Sequence, residues 1–456
     1  MNKNQQESSK VDMLNGTLAP KIFKYTIPLA FTAILQQLFN AADVAVVGRF
    51  VGKEAMAAVG SNASIVGLMV NLFLGISLGA NVVIAHASGQ KNDERITKTV
   101  HTSILVALIG GLIMFLLGEL LSSPIVSLLA VPEEVRDMAI SYLRIYLVGM
   151  PVIFLYNFES AIFRSRGNTR LPLASLIISG LINVVLNLVF VICLKMDVDG
   201  VAWATVISNL ISSGILFVCL LKTKDEIKVD FKKFCIDWEV LSKILKIGIP
   251  SGIQGMVFSL SNIVVQSAIN SLGATVMAAS SAAFYCEVIA YSVMNSFGQA
   301  CTTFVGQNYG AGQNERCRNV LKTSVLLSLI STGFVCTVIL IFGRELLGLF
   351  NKDPDVISTG MIRLRCIFFA YIFSFIQECF TGYLRGFGIS SVPALASLLG
   401  VCGTRIIWVF TVFKKFPSFT TIMLVYPISL GFVAILIILM TLIIKPSKKF
   451  AGKTDL

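Results

Sequence analysis

Five stretches of this chain, residues 55–90, 171–194, 200–221, 288–314 and 416–444, contain no Asp, Glu, Lys or Arg. A helix needs about 20 apolar residues to cross the hydrocarbon core of a bilayer, so each stretch is long enough to span it. The rest of the composition agrees: 55% of the 456 residues are hydrophobic and 14% are charged, against about 25% charged in a soluble domain. With no water in the bilayer core, the backbone must satisfy itself, and a run of that length does so as a helix. The expected class is an all-α integral membrane protein.

Apolar runs bounded by charges, glycine or proline place spans near 24–48, 56–86, 99–122, 139–163, 171–194 and 200–221, then near 244–270, 277–303, 320–343, 361–384, 392–413 and 419–444. That is twelve. With both termini on the cytoplasmic side, the inner segments hold 25 Lys/Arg and the outer loops 8, the bias that sets orientation in a cell membrane. The net charge of +12 is spread between the spans, so it reads as topology and not as a nucleic-acid surface. No signal peptide is expected, because the first apolar stretch carries no small-residue cleavage pattern.

The Lys- and Asp-rich segment 222–239 falls near mid-chain and divides two similar halves. KIFKYTIP at 21–28 returns as KILKIGIP at 243–250, an offset of 222. One residue later in register, Glu94-Arg95 returns as Glu315-Arg316, Leu143-Arg144 as Leu364-Arg365, and Arg164, Gly167 and Pro172 as Arg385, Gly388 and Pro393. Matches held in register over most of each half mark an internal repeat. Six spans per half is an even number, so the repeats share one orientation. The expected organisation is an N-terminal tail (1–20), an N-lobe (21–221), a cytoplasmic linker (222–239), a C-lobe (240–445) and a C-terminal tail (446–456).

Enzyme chemistry finds little purchase. The two histidines, His86 and His101, sit near span ends, and no H-E-x-x-H, phosphate-cradling glycine loop or carboxylate cluster is present. All ten cysteines follow residue 192, mostly singly inside apolar spans, where they read as small core residues. No catalytic residues, cysteine metal centre or organic cofactor are expected, and a sodium ion at Asp43, Asn183, Asn187 and Thr205 is the one metal considered.

Ionisable groups at membrane depth are costly and usually face a cavity or a partner. Span 1 runs outward and places Asp43 about 8 Å from its outer end. Asn183 and Asn187 share one face of span 5 at a spacing of four, with Asn187 about 10 Å from the outer end, and Thr205 on span 6 lies about 9 Å below it. Asp43, Asn187 and Thr205 therefore reach one level, with Asn183 a turn deeper. Oxygen ligands around one carboxylate suit a proton or a sodium ion. Structural hydrogen bonding between helices is the plainer reading for the amides and the hydroxyl. Tyr142 on span 4 can reach Asp43 or can act as an interfacial anchor. Pro28 removes a hydrogen bond from span 1 and is the expected hinge.

The second half does not repeat the carboxylate, because Asp43 falls opposite Val265. Glu287 and Arg405 count to about 16 Å and 14 Å from the outer surface, so an ion pair between them is expected. Glu378 and Glu159 lie nearer the cytoplasmic ends and can line an entry path or pair with the inner arginines. These four are the candidate substrate-cavity residues.

The segments IPLAFTAILQQLFNAADVAVVGRFVGKEAMAAVG, ASGQKNDER, AIFRSRGNTRLPL, INVVLNLVF, GVAWATVIS and FVGQNYGAGQNER together resemble the multidrug and toxic compound extrusion (MATE) family of antiporters. The resemblance covers nearly the whole of 21–445. It implies two six-helix lobes around a central cavity, and export of organic, often cationic, compounds against an inward flow of protons or sodium ions. It also implies that Asp43, Tyr142, Asn183 and Thr205 match the N-lobe coupling site of the bacterial and archaeal drug exporters. Asn187 stands where many members carry Asp, which leaves Asp43 as the only carboxylate of the matched site and leaves both ions open. Phe258 and Ser374 occupy the acidic positions of another branch. The expected partners are small organic substrates and the lipid bilayer, with no nucleic acid and a monomeric state. The alternative is a lipid-linked oligosaccharide flippase of the same fold superfamily.

Overall fold

The computed structural model describes residues 10–128 and 132–449. Among them every regular element is helical. The helices are α1 (Leu18–Phe50), α2 (Lys53–Gly89), α3 (Asp93–Leu128), α4 (Glu133–Val148), α5 (Met150–Ser165), α6 (Arg170–Leu188) and α7 (Asp197–Lys222). They continue with α8 (Trp238–Asn270), α9 (Ala274–Gly310), α10 (Asn314–Ile341) and α11 (Pro354–Gly386). The last two spans are α12 (Ser391–Phe413), wound as alternating α and π segments, and α13 (Val425–Ile444).

Eleven of the helices are long and apolar enough to span a bilayer, and α4 with α5 makes a twelfth with a 48° bend. Gly149 and Pro151 stand at that bend: proline cannot supply the amide that would continue the ladder. The repeat read in the sequence reappears as matched lengths. Helices α1 and α8 each have 33 residues with a proline inside, at Pro28 and Pro250, and α2 and α9 each have 37.

The chain forms two compact units, one built on Phe31–Gly248 and one on Asp12–Ala30 with the chain from Ile249 onward. The divisions after Ala30 and after Gly248 fall within two residues of the repeated prolines, and a third, after Val11, leaves Lys10 and Val11 with the first unit. The segment 222–239, expected to lie between the halves, is part of the first unit. His101 on α3 accepts from the backbone N–H of Asp230 at 3.0 Å, and the Asp237 N–H donates to Thr102 Oγ1 at 3.1 Å. Buried Ile227 and Val229 complete the contact against Val100, Ile104 and Leu220.

In the first unit the core runs through Phe73, Ala80, Val83, Ala107, Leu143, Leu147, Phe154 and Phe158. Helices α2 and α8 cross there so closely that a Cβ at Gly79 would lie 2.3 Å from the Ile244 carbonyl oxygen. In the second unit the core runs through Met294, Ile367, Tyr371, Phe375, Met423 and Tyr426. Helices α9 and α11 meet backbone to backbone, with a Cβ at Gly382 falling 2.2 Å from the Gly298 carbonyl oxygen. Close crossings through small residues are what drive helix association where lipid removes the hydrophobic force.

Candidate functional site

The first unit brings together four of the residues singled out from the sequence. Asp43 on α1 is 7% exposed. Its Oδ1 accepts from Asn187 Nδ2 on α6 at 2.6 Å, and its Oδ2 accepts from Thr205 Oγ1 on α7 at 3.2 Å. Asn187 Nδ2 also donates to Asn183 Oδ1 at 3.3 Å, one turn back along α6. The spacing of four residues puts both amides on one face, so a single NH2 group serves two oxygens.

The local sequence explains the arrangement. Helix α6 carries Ser175, Ser179, Asn183 and Asn187 at intervals of four, all buried, while its other faces are Leu, Ile and Val. Helix α7 carries Thr205 after the apolar Val198, Val201 and Ala202, which pack with Val47 and Tyr142 around the carboxylate. Thr205 also reaches the Val201 carbonyl at 3.0 Å. Its one hydrogen can serve either acceptor.

No cationic side chain lies within ion-pairing distance of Asp43 among the described residues. The carboxylate is therefore enclosed by neutral donors alone. Asn187 Oδ1 is buried with no hydrogen-bond partner. Together with the Asp43 carboxylate, Asn183 Oδ1 and Thr205 Oγ1 it offers oxygen donors of the kind a sodium ion takes, once the Asn187 amide turns. As the amide stands, its NH2 group donates to the Asp43 carboxyl group. No group of three or more His, Cys, Asp or Glu that could hold a metal occurs among the described residues.

Tyr142 on α4 is buried in the apolar shell beside the site, with its ring centroid 6.2 Å from that of Tyr146. Pro28 lies inside a continuous α1, fifteen residues before Asp43.

The remaining candidates are not gathered into one site. Glu159 on α5 is wholly enclosed in the first unit, where Ser213 Oγ donates to its Oε2 at 2.9 Å. In the second unit the expected pairing of Glu287 with Arg405 is replaced by Glu287 with Arg363. Arg363 Nε and Nη2 both donate to Glu287 Oε2, at 3.1 and 2.8 Å, and Nη1 turns to Ser280. The reason is the start of α11. The Asp353 side chain caps the helix and Pro354 opens it, seven residues before the apolar run, so Arg363 sits deeper than apolarity alone suggests. The Asp-Pro pair is a helix-start signal that locates it.

Arg405 instead donates from Nη1 to Asn262 Oδ1 at 2.6 Å and from Nε to Ser429 Oγ at 3.3 Å, with its guanidinium 4.6 Å from the Tyr426 ring centroid. Glu378 on α11 lies near Arg385 and Tyr291 but forms no ion pair within 4 Å among the described residues. Arg385 gives Nη2 to Gln254 Oε1 at 2.7 Å, and Gln254 in turn donates to Ser397. Sequence reasoning overlooked Arg363, Asn262 and Gln254. Asn262 also has a signal, since it repeats Asn40 at an offset of 222.

The family model described as MatE matches residues 28–189 and 250–411, the same half-chain repeat at an offset of 222. The probable multidrug resistance protein YoeA of Bacillus subtilis is 28% identical over 393 residues, 84% of each chain. The probable multidrug resistance protein NorM of Thermotoga maritima is 27% identical over 406 residues, 87% of each chain. Among solved structures, a crystal structure of MATE in complex with MaL6 superposes with a TM-score of 0.90 at 20% identity, covering 96% of this chain and 99% of the other.

Proposed function

Because the chain belongs to the MatE family, we propose that it is a secondary active exporter of small organic compounds, cations among them, at the cell membrane. A proton or a sodium ion moving inward drives it by alternating access. It acts as a transporter and not as an enzyme. The observation that carries this reading is Asp43: a buried carboxylate whose partners are the neutral Asn187 and Thr205. A carboxylate without a fixed counter-charge can be neutralised and released again within one cycle.

In an outward-open state the ion reaches Asp43 and cancels its charge. Thr205 then gives its hydrogen bond wholly to Val201, and Asn187 is free to present Oδ1 to a sodium ion or to keep its bond to Asn183. Relieved of a buried charge, α1 can bend at Pro28, narrowing the substrate cavity and expelling the substrate outward. Return to the inward-open state releases the ion and reloads the cavity. Relatives named as multidrug resistance proteins support the substrate class.

The flippase alternative has less support. Its polyanionic cargo calls for free cationic groups, whereas Arg363 is paired with Glu287 and Arg405 is 2% exposed and bound by Asn262 and Ser429. The test is purified protein in proteoliposomes loaded with a cationic dye. Dye should move against its gradient when a proton or sodium gradient is imposed, and no movement under either gradient would refute the reading.

A further inference from the structure

The buried carboxylate that the transport reading leaves unused is Glu159. It is 0% exposed, one oxygen takes the Ser213 hydroxyl at 2.9 Å, and the other, Oε1, has no hydrogen-bond partner. The charged and titratable groups on the surrounding helices do not compensate it. Tyr156 on the same helix sits beside Ser160 and Ser212 and is neutral. Arg164 lies five residues on along the same helix, and among the described residues the side-chain partner of Glu159 is Ser213 and not a cation. Cys219 on α7 is a thiol, and His101 on α3 is engaged by the backbone of Thr97 and Asp230. His86 lies on α2, which also packs against α5. Ile162 and Phe163, three and four residues after Glu159, and Leu216, three after Ser213, belong to a buried apolar cluster with Ile104 and Leu220.

An ionised carboxylate needs more than one neutral hydroxyl in such surroundings. A carboxylic acid does not. Polar side chains line α7 and α6 between Glu159 and the Asp43 site. On α7 the buried Ser208, Ser212 and Ser213 and the half-buried Asn209 follow Thr205 over about 12 Å, and on α6 the buried Ser175 and Ser179 continue the line of Asn183 and Asn187. Glu159 therefore stands toward the end of the unit that carries Arg164 and Arg166, the end that the charge bias assigns to the cytoplasm.

We propose that Glu159 is a second proton-binding site, working in series with Asp43 and protonated at rest on its unpartnered oxygen. The proposal rests on the exporter reading and narrows it to a proton-coupled one. In each cycle Glu159 gives its proton to the cytoplasmic side, becomes briefly a carboxylate, and recovers a proton from the side of Asp43, which Asp43 has taken from outside. The net movement is one proton inward, with both groups returned to their starting state.

The direct test is the carbonyl-stretch region of the infrared spectrum of the purified protein in lipid vesicles at neutral pH. The wild type should show a buried carboxylic-acid band that Glu159→Gln removes. Ser213→Ala, which deletes the hydrogen bond to Oε2, should move that band to higher wavenumber. Asp43→Asn should leave it in place. Identical wild-type and Glu159→Gln spectra, or a band unmoved by Ser213→Ala, would overturn the proposal. In proteoliposomes Glu159→Gln should slow substrate-driven proton movement by roughly tenfold or more, with Glu159→Asp restoring part of it, and a full rate in Glu159→Gln would contradict the series role. If instead the wild type moves no substrate under either gradient, the exporter reading fails while the infrared band still reports on Glu159.

Discussion

Arg363 Nε and Nη2 both donate to the same oxygen of Glu287, at 3.1 and 2.8 Å, inside the second unit. The arginine side chain is 4% exposed and the glutamate 13%, so neither charge has water to fall back on. Replacing Arg363 by Met or Glu287 by Gln alone should destabilise the protein by about 3–5 kcal/mol, because each leaves its partner buried and unpaired. The double variant should cost much less than the sum of the two. Unfolding in detergent measures the cycle, and additive losses would show that the two charges do not depend on each other.

The backbone crossing of α9 and α11 predicts a second stability effect. A Cβ at Gly382 would meet the Gly298 carbonyl oxygen at 2.2 Å, whereas one at Gly333 on α10 would meet nothing within 4 Å. Gly382→Ala should therefore cost roughly 1–3 kcal/mol, and Gly333→Ala should gain roughly 0.5–1 kcal/mol from helix propensity. Equal thermal midpoints for the two variants would contradict the crossing.

Much of this was legible in the sequence. The twelve spans follow from apolar length, the repeat from residues such as Pro28 and Pro250, and the Asp43 cluster from counting 1.5 Å steps along three helices. The partner of Glu287 was not legible from that counting. Apolarity marks where lipid begins, but α11 starts earlier, at a polar cap, so Arg363 lies about two turns further along the helix than a count from the apolar run places it. The packing of segment 222–239 was likewise hidden. Its charges read as a solvated linker, while Ile227 and Val229, the residues that bury it, are isolated in the sequence.

That segment carries the clearest pH dependence outside the spans. Burial acts to raise the titration of Asp225, but its hydrogen bond with Glu226 and the charges of Arg166 and Lys10 outweigh it and hold the carboxyl well below the usual range. A depressed folded value means that the stabilisation is complete above the usual carboxylate range, about pH 3.9, and is lost as pH falls from there toward the folded value. Glu226 is pushed up by the same contact and partly offsets this. The wild type should lose thermal stability in acid more steeply than Asp225→Asn, and parallel curves would show that the Arg166–Asp225 contact carries none of it.

Topology is open to a simple chemical test. Cys235 is exposed in the segment between α7 and α8, which the charge bias places in the cytoplasm. In a variant that keeps Cys235 alone, a membrane-impermeant maleimide should react only after cells are permeabilised. Labelling in intact cells would invert the orientation.

The central claim is that the charge on Asp43 changes during transport, held by Asn187 at 2.6 Å and Thr205 at 3.2 Å with no cation beside it. Asn187→Asp should alter the ion dependence of efflux, because a second carboxylate at that distance perturbs the first. The most direct measurement is gradient-driven efflux by Asp43→Asn in proteoliposomes, compared with wild type at equal amounts of folded, inserted protein. Asparagine preserves the shape and mimics the neutral state, so the variant should bind substrate and lose coupled efflux. Efflux retained with an unchanged dependence on the proton or sodium gradient would contradict the account.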